Sequence, residues 1–435
     1  MSGYRSLHRE KICSCPIWHV ETSNLLAKPS SIATHRMATT PAGDGGAGGT
    51  SWRIWVACGD GVVRGFIVQE KSITQKGEGD PLDASACTCS CTHVLLGKGQ
   101  EGQLKESPPM AMGCTQVQLC RNYVGDDDLA GDLLVVSLEL SGIVRVWSLP
   151  EGMDEDFLQQ STGVNNSSSS SPPHEQKVSA MHEFLVEDAT GTFLSVCPVH
   201  VEGDGDVKIA VACLDGSIAI VSTGVATPKS TKEASPAGTI LDRWTHRDTT
   251  GSIALGGSWH PSTRSCLAIS RQDGLVEILL LELKRHLRLM HHEAPVRAVS
   301  YTPDGHLLLS ASDDGMVCVW DVSRGGASGT QQPVLVHHQV QAHTSWIFSL
   351  APLQDSRRFV SCGADRRLNV WNVGQMDLPA YTYTTDQTAW SIHATNSRNR
   401  RLEQGQPHTA INSAKPPSRL VSGSEDGSLQ IYSLE

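Results

Sequence analysis

Two adjacent carboxylates, Asp313 and Asp314, lie between two apolar runs in the stretch LLLSASDDGMVCVWDV. Carboxylates placed side by side in an apolar surrounding can act as general acid and base, or can bind a metal ion. An aspartate followed by a glycine can also form the tight turn of a β-hairpin. The first interpretation predicts an enzyme and the second a structural element, and the rest of the sequence distinguishes them.

The turn interpretation is favoured because the motif recurs along the chain. The stretches that begin at His292 and at His343 share one spacing, with an aspartate 22 residues after the histidine and a tryptophan six residues later. A further copy has Ser141 in place of the aspartate. Four others keep the aspartate and its partner six residues on, namely Asp60/Phe66, Asp215/Val221, Asp273/Leu279 and Asp426/Tyr432. Asp314 thus has counterparts in five of the six other copies and marks a turn rather than a catalytic site.

The elements around each copy predict the fold. An apolar strand of about five residues enters an Asp-Gly turn, and a second alternating strand leaves it, which is a strong hairpin signal. Repeats of about 40–45 residues that end in Trp-Asp are typical of propeller blades with four strands each. The sequence therefore predicts an all-β, seven-bladed β-propeller.

We expect a single propeller over residues 1–435, with long insertions between its strands. The predicted blades are 11–68, 112–150, 190–222, 239–284, 292–323, 343–373 and 385–435 together with 1–10. Insertions rich in Gly, Ser and Pro are predicted to be disordered, and lie near 22–50, 69–110, 151–178, 223–238 and 395–418. The chain stops three residues after Tyr432, so residues around 4–9 are expected to add the outer strand of the last blade and close the ring.

Composition excludes several classes of function. The net charge of −11 argues against a general binder of nucleic acid or anionic membrane, because phosphate affinity comes mostly from Lys and Arg. The start of the chain lacks an apolar signal region, and no apolar run reaches the ~18 residues of a membrane span. We therefore expect an intracellular protein whose 13 cysteines are reduced thiols.

The cysteine-rich stretch CTCSC at 87–91 is the best candidate for a metal site. Zinc sites usually combine paired Cys-x₂₋₄-Cys elements into four ligands, and no second cluster lies nearby in the sequence. We interpret these residues as free thiols in an extended segment, and expect no metal and no cofactor. No phosphate-binding loop or nucleophile motif is present, so the sequence predicts a protein that is not an enzyme.

Candidate binding residues lie at the starts of the predicted innermost strands. In SWIFSL, alternation puts Ile347 between blades, so that Trp346 and Phe348 face the rim or the central channel. Aromatic and arginine side chains that converge on one face are the types found at binding hot spots. The expected partner-binding residues are Trp18, Arg297, Asp313, Trp346, Phe348 and Trp390. The alternative is that some of these rings only fill the channel.

These repeats resemble the WD-repeat (WD40) β-propellers, in which a histidine, a strand serine or threonine, the turn aspartate and the tryptophan form a hydrogen-bonded chain in each blade. The resemblance implies two such tetrads, His292–Ser310–Asp314–Trp320 and His343–Ser361–Asp365–Trp371. A buried carboxylate and a buried indole each need such partners. Cys13 and Thr385 stand roughly where the first and last blades would have the histidine.

Four longer motifs are similar to the WD-repeat subunit of the superkiller (Ski) complex: HEAPVRAVSYTPDGHLLLSASDDG, AHTSWIFSL, DQTAWSI and SLELSGIVRVW. The similarity is clear over residues 239–435 and faint from 17 to 221. It implies a scaffold that docks on a tetratricopeptide-repeat (TPR) protein beside an RNA helicase, in an assembly that feeds mRNA to the cytoplasmic exosome. It also implies a place in the nuclear polymerase-associated factor complex, and recognition of peptides with a Gln-Arg pair followed by a hydrophobic residue.

Two other classes of function stay open at this point. One is a WD40 adaptor of another assembly, such as a ubiquitin-ligase substrate receptor or a reader of modified tails. The other is a propeller enzyme, which would need perturbed carboxylates or a metal in the channel. If the protein is a Ski-complex scaffold or an adaptor of another assembly, we expect its partners to be proteins, with no direct contact to nucleic acid or membrane.

Overall fold

Antiparallel hairpins build the molecule. A computed structural model describes residues 4–23, 50–70, 87–97, 114–121, 132–150, 152–154, 175–197, 205–227, 230, 232–245, 251–263, 265–323, 333–339, 341–395 and 419–434. The strands in these ranges are β1 (Tyr4–Lys11), β2 (Ile17–Ser23), β3 (Thr50–Cys58), β4 (Val63–Glu70), β5 (Cys87–Leu96), β6 (Cys114–Arg121), β7 (Leu133–Glu139), β8 (Ile143–Leu149), β9 (Gln176–Ser179), β10 (His182–Leu185), β11 (Ala189–Val196), β12 (Asp206–Cys213), β13 (Ile218–Ala226), β14 (Ile240–Trp244), β15 (Ala254–Trp259), β16 (Cys266–Arg271), β17 (Leu275–Leu280), β18 (Arg285–Met290), β19 (Val296–Tyr301), β20 (Leu307–Ser312), β21 (Val317–Asp321), β22 (Val334–Gln339), β23 (Ile347–Pro352), β24 (Arg358–Gly363), β25 (Arg367–Asn372), β26 (Tyr381–Thr384), β27 (Ala389–Ala394), β28 (Arg419–Ser424) and β29 (Ser428–Leu434). Over the same ranges, no helix is long and apolar enough to cross a bilayer.

The strands form seven sheets arranged as a ring. From the innermost strand outward, the blades are β2-β3-β4-β5-β9 (blade 1), β6-β7-β8-β10 (blade 2), β11-β12-β13-β14 (blade 3), β15-β16-β17-β18 (blade 4), β19-β20-β21-β22 (blade 5), β23-β24-β25-β26 (blade 6) and β27-β28-β29-β1 (blade 7). Each innermost strand contacts the innermost strands of both neighbouring blades, and β27 returns to β2. The predicted all-β, seven-bladed propeller is confirmed.

The core lies between the blades rather than inside one of them. Each apolar cluster joins two neighbouring sheets; between blades 5 and 6, for example, Leu309 and Val319 pack with Ile347 and Phe359, all fully buried. Because both faces of a sheet are covered, the middle strands are almost continuously apolar, as β16 and β17 show. Burial of each such side chain contributes about 1.5–3 kcal/mol to folding.

The N-terminal strand closes the ring, as predicted. β1 pairs antiparallel with β29, from Tyr4 opposite Leu434 to Lys11 opposite Ser428. Leu7 is buried there in the cluster that joins blades 7 and 1. Blade 7 therefore takes strands from both ends of the chain, which covers the edge of β29.

Parts of the predicted insertions are ordered strands. The predicted disordered insertion 69–110 contains β5, the fourth strand of blade 1, and the insertion 151–178 contains most of β9, which pairs parallel with β5. β13 likewise extends into the insertion 223–238, and β14 completes blade 3 instead of beginning a fourth blade at residue 239. The prediction was wrong here because outer strands are half exposed and lack a regular apolar pattern. Residues 24–49 and 396–418 of the other two insertions lie outside the described ranges.

The repeated aspartate is a turn device. The Asp314 carboxylate accepts a hydrogen bond of 2.8 Å from the backbone N–H of Met316, two residues later. The same bond occurs at Asp60, Asp215, Asp273, Asp365 and Asp426. Such a bond replaces a backbone turn, and the following Gly315 has the positive φ of 75° that glycine adopts without steric cost. The acid pair of the opening motif therefore has a structural explanation at Asp314.

Candidate functional site

The innermost strands carry a β-bulge at their second residue. The ladder register shifts between residues 17 and 19, 296 and 298, 347 and 349, and 389 and 391. The residues left out of the ladder at these four bulges are Trp18, Arg297, Phe348 and Trp390. A bulge leaves its extra residue unpaired and redirects the side chain. The bulges therefore explain how four neighbouring blades present large side chains at the same end of the channel.

The large side chains contact one another in a continuous series, here called the aromatic row. The Arg297 guanidinium lies 5.2 Å from the ring centre of Trp346 and 5.6 Å from that of Phe348. Phe348 stacks on Trp390 at 4.9 Å and 14°, and Trp390 meets Trp18 edge to face at 4.8 Å. The aromatic row therefore runs from blade 5 through blades 6 and 7 to blade 1.

Trp346 does not occupy the position expected for it. It precedes the first residue of β23, and its carbonyl accepts a hydrogen bond from the N–H of Ala364. In blade 5 the carbonyl of Pro295 accepts the equivalent bond from the N–H of Asp313, so Trp346 corresponds to Pro295. Phe348, not Trp346, is thus the counterpart of Arg297, and alternation alone cannot distinguish the two positions, because residues two apart in a strand face the same side. Trp346 keeps 51% of its surface exposed and is the most accessible ring of the aromatic row.

Asp313, one of the expected partner-binding residues, pairs with an arginine of its own blade. Its two oxygens accept hydrogen bonds from Nε and Nη2 of Arg297, at 2.5 and 2.9 Å. The Asp313 side chain is only 9% exposed, whereas that of Arg297 is 33% exposed. Asp313 therefore orients the guanidinium over the rings, and the surface of Arg297 remains available to a ligand.

The aromatic row borders the mouth of the central channel. Arg297, Phe348, Trp390 and Trp18 line one side of a cavity of about 550 Å³. The indole N–H of Trp390 is buried there, and no acceptor for it lies among the residues that the structure describes. An unsatisfied buried donor is costly, so this N–H suits a carbonyl oxygen of a bound peptide.

Deeper in the channel, an ion pair joins blades 7 and 1. His393 Nε2 lies 2.9 Å from the carboxylate of Glu21, and its Nδ1 lies 3.0 Å from Oγ1 of Thr22. Burial opposes the charged form of both groups, but their mutual attraction outweighs it, raising the pKa of His393 and lowering that of Glu21. Burial lowers the pKa of nearby His19. The sequence analysis did not find this pair, because its members are far apart in the chain.

The structure brings each expected tetrad together. In blade 5, His292 contacts Asp314 through Nδ1 at 3.0 Å and Ser310 through Nε2 at 2.9 Å, and the Trp320 indole donates to Ser310 at 3.0 Å. The bonds of His343, Ser361, Asp365 and Trp371 in blade 6 measure 2.8–2.9 Å. The hydrogen bonds of each tetrad therefore all donate in the same direction. The indole donates to the hydroxyl, the hydroxyl to the imidazole, and the imidazole to the carboxylate. Despite its burial, Asp314 has a lowered pKa because His292 donates to it.

Blades 2 and 4 use a buried ion pair instead. In blade 2, Glu139 lies two positions before the turn residue Ser141, and Arg145 lies four positions after it. These two side chains form an ion pair. Blade 4 has the same pair in reverse order, with Arg271 Nε 2.6 Å from Glu277. These two positions therefore hold an arginine and an anion in two of the blades.

The candidate metal stretch is part of a core. Cys87 is buried, and Cys89 and Cys91 point to the same side of β5, where they pack against the cluster between blades 7 and 1. Burial raises the pKa of Cys91 to about 12. Within the described residues, no group of three or more His, Cys, Asp or Glu side chains has the geometry to hold a metal ion.

Comparison with known families supports the repeat assignment. Residues 283–321 and 334–372, which cover much of blades 5 and 6, match the family described as "WD domain, G-beta repeat". These two segments contain most of each hydrogen-bonded tetrad. The protein carries WD40 repeats.

Several WD40-repeat proteins are similar to parts of the chain. WD repeat-containing protein SL1-17 of Schistosoma mansoni is 45% identical over 80 residues, 17% of this chain and 27% of that protein. Mouse WD repeat and FYVE domain-containing protein 1 is 32% identical over 131 residues, 27% and 30% of the two chains. Human WD repeat and SOCS box-containing protein 1 is 36% identical over 88 residues, 20% and 19%. The chain spans at most a third of the curated relatives it matches.

Proposed function

We propose that this WD40 propeller is a non-catalytic scaffold that binds peptide segments of partner proteins on the face that carries the aromatic row. The observation that supports this most strongly is the row itself. Trp346 is half exposed beside an arginine whose charge is already balanced by Asp313. Aromatic and arginine side chains of this kind dominate the energetics of protein interfaces.

The ligand that suits this face is an extended peptide. The rings offer apolar surface to hydrophobic side chains, and the buried N–H of Trp390 offers a donor to a main-chain carbonyl. The guanidinium of Arg297 keeps donors beyond the two that Asp313 accepts. A peptide with a Gln-Arg pair and a following hydrophobic residue, as the resemblance implies, supplies apolar and polar groups that match these features.

We further propose that the assembly is the Ski complex. The motifs in blades 5, 6 and 7 support this proposal, because they include residues of the aromatic row: Arg297 in HEAPVRAVSY, Trp346 and Phe348 in AHTSWIFSL, and Trp390 in DQTAWSI. In that role the protein joins a TPR-repeat protein and an RNA helicase in the cytoplasm and assists exosome-mediated 3′-to-5′ mRNA decay. A second role in the nuclear polymerase-associated factor complex follows from the same resemblance.

Affinity purification of the tagged protein, followed by mass spectrometry, tests this proposal. We expect a TPR-repeat protein and an RNA helicase to co-purify in similar amounts. Recovery of ubiquitin-ligase subunits or of chromatin proteins in their place would support an adaptor of another assembly. Recovery of no protein partner at all would contradict the scaffold proposal itself.

A further inference from the structure

Three cysteine side chains meet where blades 7 and 1 join. Cys13 and Cys15 lie in the segment between β1 and β2, and Cys58 is the last residue of β3. The backbone brings them together, since Ile17 lies opposite Cys58 and the Gly59 N–H donates to the Pro16 carbonyl, and Cys13 Sγ lies 3.1 Å from the carbonyl oxygen of Cys15. Cys13 and Cys15 are partly exposed, whereas Cys58 is fully buried. The three residues are called the thiol cluster below.

The thiol cluster occupies the place of the tetrad in blade 1. The N–H of Cys13 bonds to the carbonyl of Gly427 in the preceding blade, as the N–H of His343 bonds to that of Gly315. Cys13 is therefore the counterpart of the tetrad histidine. Phe66 stands at the tryptophan position and cannot donate a hydrogen bond, and Asp60 pairs with Arg64 at 2.6 Å instead of with a histidine.

The same cluster occupies the position that holds an anion in other blades. Cys58 lies two positions before the turn residue Asp60, and Arg64 lies four positions after it. In blade 2 the same two positions hold Glu139 and Arg145. Blade 1 thus keeps the arginine and replaces the carboxylate by a thiol. The charge of Arg64 favours ionisation of the thiols near it, but hydrogen bonds to the other two thiols and burial raise the pKa of Cys58 itself.

Of the three thiols, Cys15 is the one whose pKa is lowered. Hydrogen bonds from the thiols of Cys13 and then Cys58 lower the pKa of Cys15 to about 2, with the backbone at Asp60 and the charge of Arg64 adding to the effect. The interaction with Cys15 raises the pKa of Cys13 to about 11. Cys15 is therefore the member of the cluster that ionises most readily, beside two further thiols, which is the arrangement of a reactive cysteine with a resolving partner.

We propose that Cys15 is a redox-active cysteine, which hydrogen peroxide oxidises and which then forms a disulfide with one of its two thiol neighbours. The Cys15 sulfur attacks one peroxide oxygen, the O–O bond breaks, and sulfenic acid and hydroxide form. The neighbouring sulfur then attacks the sulfenic sulfur, and the hydroxyl leaves with the thiol proton as water. The cysteine pair loses two electrons and peroxide gains them. This inference does not depend on the proposed scaffold function.

The oxidation site adjoins the aromatic row. A Cβ atom placed on Gly59 would lie 3.1 Å from Nε1 of Trp18 and 3.3 Å from Cβ of Cys15. Cys15 and Trp18 therefore border the same small space, and both contact the first turn of blade 1. A disulfide at Cys15 would fix the segment that leads directly into Trp18.

Peptide mapping after peroxide treatment tests the inference. The folded protein is treated with a small excess of hydrogen peroxide at neutral pH, alkylated, and digested with trypsin. Cys13 and Cys15 lie in the peptide 12–36, because trypsin does not cleave the Lys28–Pro29 bond, and Cys58 lies in 54–64. We expect either a cross-link between these two peptides, or a loss of two hydrogens within 12–36. Oxidation of other cysteines while Cys15 stays reduced would overturn the proposal.

A labelling experiment on the unmodified protein gives a test that needs no variant. With iodoacetamide at about pH 6, where ordinary thiols are protonated, Cys15 is expected to react at least tenfold faster than Cys89, a partly buried thiol of β5. Equal rates would contradict the proposal. Cys15→Ser is expected to abolish the peroxide-induced disulfide, whereas Cys89→Ser leaves it intact; a Cys13–Cys58 disulfide formed equally fast in Cys15→Ser would also contradict it.

Discussion

The carboxylate of Asp313 binds the guanidinium of Arg297 through two parallel hydrogen bonds, while the flat face of the guanidinium lies over Trp346 and Phe348. Asp313 comes from the turn after β20 and Arg297 from the bulge of β19, so the pair links two elements of one blade. Planar guanidinium groups suit this double role, since they bind a carboxylate edge-on and stack face-on. The turn that looked catalytic in the sequence therefore orients an arginine on the proposed binding face.

A double-mutant cycle on Arg297 and Asp313 measures this pair. Because the geometry is bidentate and Asp313 is nearly buried, we expect a coupling energy of about 1 kcal/mol in the free energy of unfolding. Urea denaturation of the wild type, Arg297→Ala, Asp313→Ala and the double variant gives the value. Repeating the cycle at about 1 M salt should lower the coupling energy, because Arg297 is 33% exposed and salt screens its charge. A coupling energy of zero at low salt would show that Asp313 does not hold Arg297.

The tetrad of blade 6 contributes to stability. His343→Ala leaves Asp365 and Ser361, both nearly buried, without their partner, and we expect the free energy of unfolding to fall by about 3 kcal/mol. Thr385 takes the histidine position in blade 7, where its hydroxyl bonds only to backbone carbonyls. Thr385→Ala is therefore the matched control, with an expected cost of about 1 kcal/mol. Equal losses in the two variants, measured by urea denaturation, would contradict the role given to the tetrad.

One turn holds a non-glycine residue where the others have glycine. Arg366 follows the turn Asp365 and has φ of 59°, a conformation that costs a non-glycine residue roughly 1–2 kcal/mol. Arg366→Gly should raise the free energy of unfolding by about 0.5–1 kcal/mol, after allowing for the flexibility of glycine in the unfolded chain. Arg366→Ala removes the side chain but keeps Cβ, and should show no such gain. A stabilisation by alanine equal to that by glycine would rule out the backbone explanation.

The Glu21–His393 pair makes stability depend on pH. His393 has a raised pKa in the folded protein, so its contribution is complete below the unfolded histidine pKa of about 6.5 and is lost as pH rises through the folded pKa. Glu21 has a lowered pKa, so its contribution is present above about 4.3 and is lost as pH falls further. The pair should therefore stabilise the protein most between about pH 4.5 and 6.5.

Comparing His393→Gln with its parent tests this dependence. His19 acts in the opposite direction, since its lowered pKa reduces stability as pH falls, so both proteins should carry His19→Gln. We expect the loss caused by His393→Gln to be about 1 kcal/mol near pH 5.5 and smaller near pH 8.5. A loss that is the same at both pH values would mean that the pair is not ionic.

The fold could be predicted from the sequence because it depends on local signals repeated seven times. Asp-Gly turns, alternating strands and the spacing to Trp320 and Trp371 identify the inner three strands of each blade. Outer strands such as β5 and β14 escaped prediction, since they are half exposed and separated from their blade by insertions.

The candidate site was predicted in part. The residue types of the aromatic row were found, but alternation alone could not show that Phe348, and not Trp346 two residues earlier, is the counterpart of Trp18 and Trp390. The bond between Asp313 and Arg297 was missed because it depends on that bulge. The thiol cluster combines residues about 45 positions apart, and only the fold brings Cys15 to Cys58.

The most direct test of the scaffold proposal is partner recovery by variants of the aromatic row. Arg297→Ala and Trp346→Ala remove its most accessible members, and Leu378→Ala, which is 77% exposed in the same blade as Trp346, serves as the control. Provided that all three variants are folded at the assay temperature, as cooperative unfolding curves show, we expect partner recovery to fall at least tenfold in the first two variants and to stay unchanged in the control. Undiminished recovery by folded Arg297→Ala and Trp346→Ala proteins would contradict the proposal that this face binds the partner.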